Sequence, residues 1–217
     1  MQTVEAGVQV FPGKYGSSAG LRLFIYYTAD NYGANGCYNL DCGVFSQVNK
    51  SVNIGGGFNV YSQTGGPQYD SRFDLERNSA GDWWFGYNGT WIGFWPNARF
   101  APGTLGGLAS YGHAGGEIVN DESGGQHTIT QMGSGTVPCE TNLFVSNACA
   151  NYSDFGNVDY QRRLVQFNSA NQWSYLPTAG GTSTNAYCYS YAPTQTSDSN
   201  WGNFFYFGGP GRSTLCP

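Results

Sequence analysis

Trp83-Trp84-Phe85-Gly86-Tyr87-Asn88-Gly89-Thr90-Trp91-Ile92-Gly93-Phe94-Trp95 is the stretch on which the fold turns. Two aromatic runs flank an Asn-Gly pair. A two-residue type I′ turn needs positive φ at both central positions, which asparagine and glycine tolerate, so this segment predicts a β-hairpin. Pro96 closes the second strand, because proline cannot donate to a ladder. Working outward, residues 21–28 are β-branched and aromatic, and Asp30-Asn31 with Gly33 ends the run. Residues 44–48 and 58–61 read as strands, the second preceded by Gly55-Gly56-Gly57. So do residues 117–119, 127–131, 164–167 and 204–207. Only residues 104–113 could hold a turn or two of helix, and glycines weaken it. No repeat, charge run or linker divides the chain. The expected architecture is all-β, a single-domain antiparallel β-sandwich over residues 1–217.

Composition agrees. The 217 residues include 33 glycines and 17% aromatics, with charged residues at 11% against a typical ~25%. Two lysines and five glutamates are too few to solvate helix faces, which excludes a helical bundle or coiled coil. The aromatic content gives ample apolar area to bury, which excludes disorder. The net charge is −5, and Arg162-Arg163 is the one adjacent basic pair, so nucleic acid is not an expected partner. No apolar run approaches the ~18 residues of a membrane span, so no membrane partner is expected. The opening Met1-Gln2-Thr3-Val4-Glu5 is neither basic nor apolar and does not read as a signal peptide. It is expected to represent a mature domain with Met1 added.

Six cysteines form an even set, Cys37, Cys42, Cys139, Cys149, Cys188 and Cys216. Zinc is the alternative to disulfides. However, His113 and His127 lie far from every cysteine along the chain, and no CxxC pair occurs, so disulfides are favoured and no metal is expected. The close pairs Cys37/Cys42 and Cys139/Cys149 suggest local loops, leaving Cys188/Cys216 to pin the C-terminal segment. Asn-x-Ser/Thr sequons at Asn49, Asn88 and Asn151 are compatible with secretion. The expected location is extracellular.

Catalytic motifs of other classes fare poorly. Gly16-Ser17-Ser18-Ala19-Gly20 spells G-x-S-x-G, but a nucleophile elbow needs a strand entering and a helix leaving, whereas here a loop runs into a strand. No HExxH, P-loop or GxGxxG occurs, and no cofactor is expected. Carboxylates remain. Glu76 adjoins Arg77, Glu122 sits in a turn, and Glu140 follows Cys139 in a loop. Glu5 and Glu117 differ, because each lies among small and apolar residues, Val4-Glu5-Ala6-Gly7-Val8 and Ala114-Gly115-Gly116-Glu117-Ile118-Val119. A carboxyl on a strand between apolar neighbours is desolvated, which favours its protonated form and permits proton sharing. Adjacent glycines let a substrate backbone approach. Buried structural glutamates would fit the same pattern.

Several segments together resemble the neprosin family. They are Glu5-Ala6-Gly7-Val8-Gln9-Val10, Gly36-Cys37-Tyr38-Asn39-Leu40 with Cys42, Trp83-Trp84, Gly93-Phe94-Trp95-Pro96, Gly115-Gly116-Glu117-Ile118-Val119-Asn120, Gly125-Gln126-His127-Thr128, Thr130-Gln131-Met132-Gly133 and residues 201–211. The resemblance spans nearly the whole chain in order. It implies a secreted glutamic peptidase of β-sandwich fold, made with an activation peptide absent here. It also implies a metal-free endopeptidase that cleaves on the carboxyl side of proline at acidic pH. The family's catalytic glutamates correspond to Glu5 and Glu117, and its disulfides to Cys37–Cys42 and Cys188–Cys216. Cys139–Cys149 looks like an extra bridge. Ala114 and Val8 stand where plant members carry tryptophan, which bears on subsite shape.

The expected partners are proline-containing peptides or proteins and, before maturation, the chain's own activation peptide; a monomer is expected. Trp83, Trp84 and Trp95, with Gln126 and Gln131, are candidate substrate-binding residues, although for any one of the tryptophans a place in the sandwich core or on an exposed face is the favoured reading. Mechanistically, an ionised glutamate takes a proton from water while a neutral one supports the carbonyl oxygen. Analogy with other glutamic peptidases makes Glu117 the base and Glu5 the acid. Two other classes stay open: a carbohydrate-binding β-sandwich stacking sugars on tryptophans, and a glycoside hydrolase using the same carboxylates. Scarce charge is also expected to confer acid tolerance, since few carboxylate salt bridges can be lost.

Overall fold

A computed structural model describes residues 1–18, 20–195 and 198–217, so Ala19 of the G-x-S-x-G stretch lies outside the described residues. Among the described residues the regular structure is mostly strand, with one α-helical turn and a few 3₁₀ turns, and every strand pairing is antiparallel. It forms two compact units, Met1–Tyr61 with Tyr69–Tyr111, and Ser62–Gln68 with Gly112–Pro217.

The first unit contains β1 (Thr3–Gln9), the helical turn α1 (Pro12–Tyr15), β2 (Arg22–Thr28) and β3 (Gly36–Tyr38). It continues with β4 (Ser46–Gln47), β5 (Phe73–Arg77), β6 (Trp83–Tyr87) and β7 (Thr90–Trp95). They build sheets ordered β1-β2-β3 and β4-β7-β6-β5. The β6–β7 turn follows the sequence expectation, with Asn88 at φ 48° and Gly89 at φ 77°. A two-residue turn fixes register, and Tyr87 faces Thr90 while Trp83 faces Trp95. Side chains alternate across a strand, which carries Phe85 and Trp95 inward, and the register irregularity opposite Phe85/Gly86 lets Ile92, three residues before Trp95, be buried as well. Leu23, Ile25 and Tyr27 of β2 enter the same core, and Phe45 packs edge-on against Trp95 at 4.9 Å. Trp83 is buried too, and its Nε1 donates to the Leu105 carbonyl at 2.7 Å. Residues 58–61 form no strand, and residues 104–113 make turns rather than helix, Gly107 N–H reaching back to Thr104.

The second unit contains β8 (Asp159–Gln161), β9 (Val165–Phe167), β10 (Trp173–Tyr175), β11 (Ser190–Gln195) and β12 (Asn203–Gly208). Its sheets run β10-β9 and β11-β12-β8. Pro193 sits in β11, an edge strand, where a missing donor costs least. Residues 204–207 are strand as expected. Residues 117–119 and 127–131 are not; they run as extended loops, and Met132 alone bridges to Gly209. Alongside its short ladders this unit carries two of the three disulfides. Cys188–Cys216 is fully buried, with Tyr189, Ile118 and Met132 packed around it. Cys139–Cys149 closes a loop here, and Cys37–Cys42 closes one in the first unit.

Two carboxyls of the second unit are partly withdrawn from water. Burial raises Asp159 above the ordinary carboxylate range, against the pull of the Ser134 N–H it accepts at 2.6 Å. Burial likewise raises Asp154, which accepts the Cys139 N–H at 2.7 Å. With a folded pKa above the unfolded one, the native state binds the extra proton. The stabilising contribution is therefore complete below the ordinary Asp value and disappears as pH rises through the raised one.

Two outcomes follow. Phe85→Ala, at a site with no solvent exposure, should cost about 3–5 kcal/mol in denaturant unfolding. Trp91→Ala, at a site 43% exposed, should cost well under half of that. For acid response, wild-type and Asp159→Asn midpoints are compared at pH 7 and pH 4. Wild type should gain relative to the variant on acidification; identical pH dependence would remove Asp159 from the account.

Candidate active site

Glu5 occupies the middle of β1, opposite Tyr26 of β2. Its neighbours Val4 and Ala6 pack on the core, so alternation sends Glu5 to the other face. There its Oε1 accepts two hydroxyls, Thr3 Oγ1 at 2.5 Å and Tyr32 at 2.9 Å. The Tyr32 ring stacks on Tyr26 at 6.0 Å and 9° between planes, and Tyr26 in turn meets Tyr38 at 4.6 Å. Burial, then the negative charges of Glu5 and Asp30, raise the Tyr26 phenol. It therefore stays protonated beside the carboxylate. Glu5 is thus half-buried and held on one oxygen by neutral donors.

Glu117 lies in the second unit, in an extended loop with its side chain exposed. The expected strand and desolvation are absent at this residue. The physical reason is that Ala114, Gly115 and Gly116 are too small to cover a neighbour. Its backbone is nonetheless fixed. The Gly115 carbonyl accepts Gln161 Nε2 at 3.0 Å, and Ile118 packs on the Cys188–Cys216 cluster. Gly116 lies so close to Met132 and Phe207 that a Cβ would sit 2.6 Å from the Met132 sulfur. Any side chain there would have to displace the Met132 thioether or the Phe207 ring.

The remaining candidates separate by burial. Trp83 and Trp95 lie in the core of the first unit, because the hairpin register turns them inward. Trp84 faces outward, 6.3 Å from Trp91 and 5.0 Å from Phe94. With Trp91, Glu76 and Asn78 it lines a cleft of about 310 Å³. Gln126 is exposed and its Oε1 accepts Arg212 Nη1 at 2.7 Å. Gln131 is exposed beside Gly135. A hollow of about 510 Å³ in the second unit, lined by Thr141, Leu143, Ser190 and Tyr191 among others, contains none of the sequence candidates.

His127 is distant from the cysteines in sequence but near them in space. Its N–H donates to the Pro217 carbonyl, its ring meets Tyr189 at 5.2 Å, and its nitrogens come within 4.8 Å of the Cys188 and Cys216 sulfurs. Those sulfurs are bonded to each other and present no thiolate to a metal.

Thr3, Tyr26 and Tyr32 are the site residues that sequence reasoning missed. Thr3 and Tyr26 were accessible in principle, as same-face neighbours of Glu5 once β1 is paired with β2. Tyr32 had no such signal, since its position follows from a loop conformation. No helix among the described residues is long and apolar enough to cross a membrane, and three disulfides point to an oxidising, extracellular setting. The neprosin family model matches residues 1–210, a span that carries both the Glu5 and the Glu117 segments, so the chain belongs to the neprosin family, and membership implies a prolyl endopeptidase.

Proposed function

We propose that residues 1–217 work as one secreted, acid-active glutamic endopeptidase domain, cutting on the carboxyl side of proline with Glu5 and Glu117 as its catalytic pair. The observation that carries the reading is the family match across both glutamate segments. The Glu5 environment supports it: a carboxylate on the face away from the core, oriented by two hydroxyls, is prepared for chemistry rather than for packing. Because Glu117 is exposed, proton sharing in this reading rests on the mutual repulsion of two carboxylates and not on burial.

In the proposed reaction one carboxylate removes a proton from water, and the resulting hydroxide attacks the carbonyl carbon of the prolyl peptide bond. The neutral carboxyl hydrogen-bonds the carbonyl oxygen as charge develops on it. The proton then passes to the departing amine, the C–N bond breaks, and the pair returns to its one-proton state. The two glutamates act as a unit, and neither is assigned separately as base. An activation peptide preceding this domain is part of the proposal, as the partner that would cover the pair before maturation.

One feature favours a second reading. The Trp84–Trp91 cleft, with a carboxylate and a carboxamide on its wall, has the mixed aromatic and polar lining that holds sugars.

Incubation with a proline-rich protein at about pH 3–5, with pepstatin and EDTA present, should yield fragments ending in proline. Glu5→Gln and Glu117→Gln should each lower kcat/KM by two orders of magnitude or more, on the order of 3 kcal/mol of transition-state stabilisation. Near-normal turnover in either variant contradicts the pair. Retention on a polysaccharide column without proteolysis would move the assignment to sugar binding, and released sugars to glycoside hydrolysis.

A further inference from the structure

We propose that Tyr32 is a positioning residue for Glu5: its hydroxyl, together with that of Thr3, fixes Oε1 and leaves Oε2 as the oxygen that exchanges protons during catalysis. The inference rests on the reading of Glu5 as catalytic.

The geometry is specific. Both hydroxyls converge on the same carboxylate oxygen, at 2.5 Å from Thr3 and 2.9 Å from Tyr32. Oε2 accepts from no group among the described residues, so it is the oxygen free to meet a water or carry a proton. Hydrogen bonds to a carboxylate are charge-assisted and directional, so two of them restrict rotation about the terminal torsion of the glutamate.

The loop that carries Tyr32 is built to deliver it. Tyr32 has φ 61° and the preceding Asn31 φ 62°, both in the left-handed region. For a bulky aromatic residue that is an outlier, and such strain persists only where the surroundings over-determine it. They do so here. The Tyr32 N–H donates to Thr28 Oγ1 at 2.9 Å, and Thr28 is fully buried. Asp30 ties the far side of the loop, Oδ1 accepting the Gly33 N–H at 3.1 Å and Oδ2 the Asn35 N–H at 2.8 Å. Asn31 N–H donates to the Met1 carbonyl at 2.8 Å, and Ala29 N–H to the Asn35 carbonyl at 2.8 Å. The Tyr32 ring then rests flat on Tyr26, which aims its hydroxyl across to β1. A tyrosine that is 53% exposed contributes little to the core, so a strained loop that holds it needs another purpose.

The titratable groups around Glu5 are Tyr26 from β2, Tyr32 and Asp30 from the loop, and Tyr38 of β3 behind Tyr26. β5 also contacts β1, and its charges are engaged elsewhere: Asp74 with Arg72, Arg77 with the Gly106 carbonyl, and Glu76 in the tryptophan cleft. Removing the Tyr32 hydroxyl therefore withdraws a donor from Glu5 while every charge nearby stays in place.

The test uses Tyr32→Phe, which keeps the stacked ring, and Thr3→Val, with near-UV circular dichroism to verify the fold. In Tyr32→Phe the acid limb of the kcat/KM profile on a proline-containing peptide should move to higher pH. On the same peptide, kcat should fall roughly 3- to 10-fold with KM within about twofold. An unmoved pH profile together with normal kcat overturns the role of Tyr32. If Glu5→Gln stays as active as wild type, the catalytic reading of Glu5 itself fails, and this inference with it. If Glu5→Gln is inactive while Tyr32→Phe behaves as wild type, only the positioning role is lost.

Discussion

The first unit depends on the register of one hairpin. Asn88 and Gly89 accept positive φ, the two-residue turn closes, and Trp83 is thereby set opposite Trp95. A slip of one residue would reverse every side chain of β6 and β7, moving Phe85, Ile92 and Trp95 to water and Trp84 inward. The irregularity between Phe85 and Gly86 belongs to the same device. It brings Trp91 opposite Gly86, where the absence of a side chain lets the indole lie over the sheet and frame the cleft with Trp84. The inner core and the outer aromatic surface thus come from a single turn.

Period-2 alternation does for β1 what the turn does for the hairpin. Val4 and Ala6 are drawn to the core, and Glu5 has no alternative but to face outward beside Thr3. What the strand cannot supply is the orientation of the carboxylate itself. That comes from a loop under strain, tied down by Thr28 and Asp30. Rigid strand and strained loop divide the work: one sets position, the other sets angle.

The legibility of the chain follows from how locally each feature is encoded. The hairpin and β2 could be read because turn chemistry and β-branched runs act over a few residues. The all-β class could be read because charge is too scarce for helices. Residues 117–119 and 127–131 misled: Ile118 packs on the buried disulfide, and the backbone of His127 and Thr128 bonds to the C-terminal segment rather than to a ladder. The tryptophans were ambiguous for a related reason: Trp83 and Trp84 are adjacent in sequence and opposite in fate, which only register decides. Glu5 and Glu117 drew attention by the same neighbour argument, yet only Glu5 is partly shielded. For Glu117 the glycines that suggested burial produce exposure. Tyr32 could not have been found, because its function lies in a backbone conformation that tyrosine rarely adopts.

The charged groups also bear on how the fold responds to acid. Folded proteins usually lose stability in acid because paired carboxylates must be protonated. Here the ion pairs Lys14–Asp41 and Arg72–Asp74 are surface contacts, of a kind that contributes little. The two aspartates with resolved shifts, Asp154 and Asp159, are shifted upward by burial, so protonation relieves a desolvation penalty that outweighs the pull of their backbone N–H partners. The aspartates thus oppose the usual loss of stability on acidification, and the scarcity of other charges leaves little to counter them.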